Sequence, residues 1–222
     1  MLFRSHRALT TLEEVTRDTK SYAQKYMEIS QRYKSVGKLT IARDYAMKSL
    51  AIYEMRDEQR LIGLTHQRLG KTLEKQNDLD GAEKEYRQAI TIERELDDDI
   101  SASLCYTSLA ELLLKRGQAK QAEVEAQEAL NFARASQDAQ TQGQAIIALA
   151  QIRHNAGDFA AADELFAQAL QLLDASDAHE IAAAAYSRYG KLLEDRGDIT
   201  GSLSAIKKAL EHQRQGKRGD LE

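Results

Sequence analysis

The sequence predicts an all-α fold built from a repeated pair of helices, and three observations support this prediction. The 222 residues include no proline, and strong helix formers such as Ala, Leu, Glu, Gln, Lys and Arg dominate. Glycine or asparagine recurs every 40 residues, and columns of small and apolar side chains repeat with the same spacing. Repetition at such a period is typical of a helical array in which each unit packs only on its neighbours.

The recurring glycine or asparagine marks the turn inside each helix pair. The column consists of Gly37, Asn77, Gly117, Gly157 and Gly197. These two residue types adopt the left-handed conformation that ends a helix more readily than others do. Three of the turns are followed by an aspartate that is suited to cap the next helix, namely Asp78, Asp158 and Asp198. We therefore expect five helix pairs, each joined by a tight turn.

Small residues recur on both sides of each turn, where the two helices of a pair are expected to cross. The column before the turn is Ser30, Gly70, Ala110, Ala150 and Gly190. The column after the turn is Ala42, Ala82, Ala122, Ala162 and Ser202. Small side chains at a crossing let the helix axes approach to the short end of the usual 8–10 Å range. Leucine at Ala122 is therefore expected to overpack the crossing.

Apolar residues complete the repeating unit. Within each helix, aliphatic or aromatic side chains recur at i, i+3 and i+4. From one repeat to the next, they recur every 40 residues, as in the column Leu50, Ile90, Leu130, Leu170 and Leu210. A single pair cannot bury both of its apolar stripes, so neighbouring pairs must stack. The expected helices span residues 19–36, 40–56, 59–76, 79–96, 99–116, 119–136, 139–156, 159–174, 178–195 and 199–214. The acidic turns at Asp57, Asp97–Asp99, Asp138 and Asp177 are expected to favour the N-terminus of the following helix.

This pattern resembles the tetratricopeptide repeat, and the likeness covers roughly residues 19–214. It is clearest in LGKTLEKQNDLDGAEKEYRQAI at residues 69–90. The chain departs from the family in two ways. Its period is 40 residues, whereas the usual period is 34. It also lacks the proline that commonly closes the second helix. Charged residues hold that place here: Glu54, Arg94, Arg134, Asp174 and Arg214. Similar long-period variants occur in kinesin light chains and bacterial regulators. The resemblance implies a right-handed α-solenoid of five antiparallel helix pairs whose first helices line a concave groove.

The expected organisation has three parts. Residues 1–17 align with the second helix of an upstream unit and form either an extra N-terminal capping helix or half of a repeat in a longer protein. Residues 18–216 carry the five repeats. Residues 217–222 are expected to form a disordered tail, of which the last residues fit a cloning remnant.

Composition narrows the class of protein. The chain has a single cysteine, Cys105, and neither a signal-peptide-like segment nor about 18 consecutive apolar residues. We therefore expect a cytoplasmic protein without a membrane span. The net charge of −4 argues against nucleic acid as a partner of this region, because binding to phosphates needs a cationic face.

No motif predicts catalysis, a cofactor or a metal. GKT at residues 70–72 resembles the end of a phosphate-binding loop, but Thr65 stands where that motif needs glycine, and the segment lies in a predicted helix. The five histidines lack metal spacing, His66 falls on an apolar column, and Cys105 is expected to be buried. The pairs Glu83/Glu85 and Glu123/Glu125 are interpreted as solvated helix faces. We expect a protein that is not an enzyme.

The resemblance places the candidate binding residues on the first helix of each pair. The predicted groove consists of Gln67, Arg68, Lys71, Lys75, Glu111, Lys115, Gln151, His154, Asn155, Arg188 and Lys191. The equivalent positions of the first repeat are Met27, Glu28, Gln31 and Lys34, and further ones are Thr107, Ser108, Ile147 and Ser187.

Two cationic pairs, Arg68/Lys71 and Arg188/Lys191, occupy equivalent groove positions three repeats apart. Each pair is suited to hold a carboxylate or an acidic peptide through charge-assisted hydrogen bonds. The alternative is that they form ordinary ion pairs along their own helices, with Glu74 and Glu194.

The sequence thus favours a non-catalytic scaffold that binds a peptide or helix of a partner protein, acidic or with a free carboxylate, and it leaves a homodimer open. One alternative is the sensor and dimerisation region of a bacterial transcriptional regulator whose DNA-binding domain lies outside this chain. Another is a regulatory module attached to an enzyme.

Overall fold

The fold is an all-α array of helix pairs, as the sequence predicts. The computed structural model describes the backbone of residues 2–176 and 178–219 and the side chains of residues 19–176 and 178–216, and this part contains no strand. The helices are α1 (Leu2–Ser35), α2 (Leu39–Met55), α3 (Gln59–Lys75), α4 (Leu79–Glu95), α5 (Asp99–Lys115), α6 (Ala119–Ser136), α7 (Ala139–Asn155), α8 (Phe159–Asp174), α9 (His179–Asp195) and α10 (Ile199–Gly219).

The two ends differ from the prediction. Helix α1 runs without interruption from Leu2 to Ser35, so the expected break before residue 19 and the separate helix over 1–17 are wrong. The reason is that no glycine or proline precedes Gly37, and an intact helix keeps its backbone hydrogen bonds. Helix α10 likewise continues to Gly219, so the expected disorder from 217 is wrong for 217–219, and 220–222 lie outside the described residues.

The turns inside the pairs have the predicted conformation. Gly37, Asn77, Gly117, Gly157 and Gly197 all have positive φ, between 63° and 83°. At Gly37 the amide donates to Lys34 O at 3.2 Å, and the Lys38 amide donates to Tyr33 O at 2.9 Å. These two bonds form a Schellman motif, which satisfies carbonyl groups that the helix end would leave free. The predicted caps also form, because Asp78, Asp158 and Asp198 accept from the amides of Gly81, Ala161 and Gly201.

The turns between pairs have the same left-handed conformation, which the sequence did not predict. Asp57, Asp97 and Gln137 have φ of 53°, 52° and 57°. Asp57 and Asp97 therefore end the preceding helix, two residues before the next helix begins. Asp98 and Asp138 do cap the next helix, because they accept from the amides of Ser101 and Thr141. Residue 177, which the sequence analysis included among these turns, lies outside the described residues.

The chain divides into two compact units, residues 1–101 and 102–222, which we call the N-terminal unit and the C-terminal unit. In the N-terminal unit, Ser30 of α1 donates to Ala42 O of α2 at 2.7 Å, across the predicted crossing of small residues. In the second pair, Tyr86 of α4 is fully buried against Gly70 of α3, where a Cβ would lie 2.6 Å from the ring. Glycine at residue 70 therefore makes room for the aromatic ring.

The C-terminal unit follows the same rules. The small residues Ala110, Ala122, Ala150 and Ala162 are at most 1% exposed, which confirms the predicted crossings. Neighbouring pairs are joined by both apolar and ionic contacts: Phe166 of α8 stacks on Tyr189 of α9 with ring centroids 4.7 Å apart, and Asp163 bonds to Arg196 at 2.7 Å. Cys105 is buried as predicted.

Candidate functional site

The N-terminal unit collects cationic side chains from α1 and α3. Lys34 of α1 and Arg68, Lys71 and Lys75 of α3 form what we call the cationic face; Lys71 and Lys75 are exposed, whereas Lys34 and Arg68 are partly buried. Burial lowers the pKa of Lys34, and the positive charges of Lys71, Lys75 and Arg68 lower it further. Burial also lowers the pKa of Arg68. The face thus holds like charges close together.

The partners of these cations are neutral or absent within the described residues. The side-chain amide of Gln31, with its oxygen turned toward Arg68, accepts from the guanidinium at 2.5 and 3.2 Å. No described carboxylate lies within 4 Å of any charged nitrogen of the cationic face. The alternative in which Arg68 and Lys71 form ion pairs with Glu74 is therefore wrong.

A pocket of about 450 Å³ lies next to Arg68. Its apolar part comes from Met27, Tyr53, Leu61 and Leu64, and its polar part includes Glu28 and Thr65. The predicted groove positions Met27, Glu28, Gln31 and Arg68 all line it, whereas Gln67 does not. Five further residues of the pocket were not predicted, because they lie outside the narrow stripe of each first helix that the resemblance indicates: Gln24, Tyr53, Leu61, Leu64 and Thr65.

In the C-terminal unit the equivalent arginine is already engaged. Arg188 of α9 donates to Glu111 Oε1 of α5 at 2.7 Å and to Gln151 Oε1 of α7 at 3.0 Å. These three residues line a pocket of about 290 Å³ with Leu114, Lys115 and Asn155. The structure therefore brings together five of the predicted groove residues, but the pairing of Arg188 with Glu194 is wrong.

Two further predicted residues of this unit do not line that pocket. Lys191 is exposed on α9. His154 instead packs on Phe159, with ring centroids 5.1 Å apart, and neither of its ring nitrogens has a hydrogen-bond partner among the described residues.

Several side chains expected to be merely packed or solvated make specific bonds. His66 Nδ1 lies 2.6 Å from Glu85 Oε2, which joins α3 to α4. Glu123 of α6 forms an ion pair with Arg153 of α7, and Glu83 pairs with Arg87 along α4. Glu83, Glu85 and Glu123 are therefore partly exposed, and each also bonds to a neighbouring cation or histidine.

Neither a metal centre nor a membrane span is found in the described part of the chain. No group of three or more His, Cys, Asp or Glu side chains there is arranged to hold a metal ion. No helix within the same residues is long and apolar enough to cross a bilayer.

Comparison with known proteins agrees with the fold. The tetratricopeptide repeat family matches residues 65–96. No curated protein sequence matches the chain. Among solved structures, the nearly identical TPR-like repeats of a Podosopora anserina protein described as a kinesin light chain are 15% identical, with a TM-score of 0.64; the match covers 90% of this chain and 98% of that one.

Two Rap proteins are also similar. A Rap protein complexed with Competence and Sporulation Factor is 13% identical with a TM-score of 0.76, over 87% of this chain and 54% of that one. The Rap conjugation gene regulator of plasmid pLS20, solved with the Phr* peptide, is 17% identical with a TM-score of 0.65. The match covers 90% of this chain and 64% of that one. The 40-residue spacing, the helix pairs and these matches agree in one respect: the chain has an all-α fold of helix pairs similar to that of tetratricopeptide-repeat structures.

Proposed function

We propose that the chain is a non-catalytic interaction module whose N-terminal unit binds an acidic segment of a partner protein. The observation that carries this proposal is the cationic face, whose four charges have no carboxylate partner among the described residues. Like charges this close raise the free energy of the unbound protein. An anionic ligand relieves that repulsion and gains charge-assisted hydrogen bonds.

The neighbouring pocket adds a second element of recognition. Met27, Tyr53, Leu61 and Leu64 give it an apolar wall, and its volume of about 450 Å³ can hold one large side chain. Arg68 borders both the pocket and the rest of the cationic face. The ligand is therefore a peptide in which one bulky apolar residue stands close to two or more acidic residues. Glu28 lies on the pocket wall and disfavours an acidic group deep inside it.

The solved structures support peptide binding as a use of this fold, since the pLS20 regulator was solved with a peptide. These solved structures do not indicate which of the two units of this chain would bind the peptide. The side-chain contacts favour the N-terminal unit, because Arg188 in the C-terminal unit is already neutralised by Glu111.

A displayed random peptide library tests the proposal because it samples acidic, basic and apolar ligand sequences in one experiment. The wild-type chain is expected to enrich peptides with an apolar residue flanked by Asp or Glu. The Lys71→Glu, Lys75→Glu double variant is expected to lose that enrichment. Lys191→Glu is the matched control, because this lysine is also exposed on a first helix but lies in the other unit. Enrichment of the same acidic peptides by the double variant would refute the site.

A second candidate is the sensor region of a bacterial regulator, favoured by the similarity to the Rap conjugation gene regulator. Here the peptide is a signal rather than part of a partner protein. Extending the natural reading frame upstream tests it: a helix-turn-helix domain supports this candidate, and an unrelated domain argues against it.

A further inference from the structure

Helix α10 carries two apolar stripes, and only one of them is covered within the described residues. Ser202, Ala205, Ala209 and His212 are at most 8% exposed and form the stripe that packs inside the C-terminal unit. The other stripe consists of Ile199, Leu203, Ile206 and Leu210, which are 56%, 64%, 40% and 49% exposed. We call it the α10 stripe. Four large aliphatic side chains on one helix face make a patch of roughly a few hundred Å², which is the size of the largest apolar patch on a typical monomer, and such patches are often functional.

The repeat shows what normally covers these positions. Counting back 40 residues, Ile206 and Leu210 correspond to Phe166 and Leu170 of α8. Those two side chains are 1% and 7% exposed, and Phe166 stacks on Tyr189 of the following helix pair. The α10 stripe thus has the geometry of a surface on which another helix packs.

One substitution distinguishes α10 from the internal helices. The residue equivalent to Leu203 is Asp163 in α8, which bonds to Arg196, and Glu123 in α6, which pairs with Arg153. In these two junctions of the C-terminal unit, an acidic residue therefore faces a cation of the incoming helix. Leu203 carries no charge, so the stripe is purely apolar and a surface identical to itself can pair with it.

The spacing of the stripe also suits self-pairing. Ile199, Leu203, Ile206 and Leu210 follow i, i+4, i+7 and i+11, the alternation of four and three residues found in a coiled-coil seam. We propose that two copies of this chain associate through the α10 stripe, with the helices antiparallel about a two-fold axis. Leu203 of one copy then packs on Ile206 of the other, and Ile199 on Leu210.

The expected association is reversible. The stripe spans less than two heptads, whereas a coiled coil recognisable from sequence has at least three or four. A patch of a few hundred Å² on each copy is smaller than the roughly 800 Å² per partner that stable specific interfaces bury. The dimer therefore forms at high protein concentration and dissociates on dilution. The inference is independent of the cationic face, which lies in the other unit.

Sedimentation velocity over a series of protein concentrations tests this inference on the full chain. The wild type is expected to shift from monomer to dimer as concentration rises. Leu203→Asp, which introduces the acidic residue type that α4, α6 and α8 have at this position, is expected to stay monomeric. Val124→Asp is the matched control, because Val124 is 63% exposed on α6 of the same unit. Circular dichroism confirms that each variant is folded.

Three results would overturn the proposal. The first is a wild type that remains monomeric at every concentration. The second is a dimer that persists in Leu203→Asp. The third is an equal loss of the dimer in Val124→Asp, which would show that any added charge disrupts association.

Discussion

Replacement of Glu93 by leucine is predicted to make the stability of the N-terminal unit less sensitive to a rise from acidic to neutral pH. Glu93 of α4 is 2% exposed, and its Oε2 has no hydrogen-bond partner among the described residues. Burial, aided by the negative charge of Asp98 and opposed by Arg60, raises the pKa of Glu93 from 4.5 to about 7. The same register holds Tyr53, Ala133 and Leu173 in α2, α6 and α8, all buried. Glu93 is thus a carboxyl group at a core position.

The raised pKa of Glu93 gives the sign and the size of its effect on the unfolding free energy. A raised pKa means that the folded state holds the proton more tightly than the unfolded state, so this group's contribution to stability falls as the pH rises from 4.5 to about 7. A shift of between two and three pKa units corresponds to roughly 3 kcal/mol, at about 1.4 kcal/mol per unit. Leucine also fits the space, since Leu173 packs against Gly143 as Glu93 packs against Gly63. Glu93→Leu is therefore expected to gain stability relative to the wild type as the pH rises.

Denaturant unfolding followed by circular dichroism checks this prediction at acidic, neutral and mildly alkaline pH. The difference in unfolding free energy between Glu93→Leu and wild type should grow with pH and level off above about pH 8. Glu93→Gln separates loss of charge from gain of apolar packing, because the amide removes the titration without filling the site differently. A difference that stays constant with pH would show that the pKa of Glu93 is the same in the folded and unfolded states, and it would refute the reasoning.

Three further predictions concern the repeat itself. Ala122→Leu should overpack the fully buried crossing in the C-terminal unit and lower the unfolding free energy by about 1–3 kcal/mol, whereas an unchanged denaturation midpoint would contradict the assigned crossing. Gly157→Ala should cost about 1–2 kcal/mol, since φ is 82° and a Cβ there meets nothing within 4 Å, and Gly157→Asn should cost less, as Asn77 holds the equivalent turn. Lys71→Ala should leave the thermal midpoint nearly unchanged, because this lysine is exposed; a large drop would mean that it stabilises the fold.

The turns show how far the sequence could predict the fold. Glycine and asparagine at Gly37 and Asn77 reveal left-handed turns, because few other residues accept positive φ without strain. The turns between pairs have the same geometry at Asp57, Asp97 and Gln137, but these residue types also cap helices or lie on surfaces. The sequence therefore predicted the positions of these turns but not their left-handed conformation at Asp57, Asp97 and Gln137.

The sequence predicted which helix positions the two arginines occupy, but not which side chains bond to them. Arg68 bonds to Gln31 and Arg188 bonds to Gln151, and both pairs join equivalent positions of consecutive repeats. Arg188 also reaches Glu111, two repeats earlier, and this contact neutralises it. The internal repeat in the sequence suggested that Arg68 and Arg188 were equally available to bind a ligand. Only the fold shows which side chains lie near enough to pair with each.

The measurement that most directly tests the central claim is a calorimetric titration of one library-selected acidic peptide into three proteins: the wild type, the Lys71→Glu, Lys75→Glu variant and the Lys191→Glu control. The account predicts that the double variant loses at least tenfold in affinity, the loss of about 1.4 kcal/mol expected when a charge-assisted hydrogen bond is removed. The control should match the wild type, and added salt should weaken binding in both. Equal affinity for the wild type and the double variant would contradict the claim that the cationic face binds the acidic ligand.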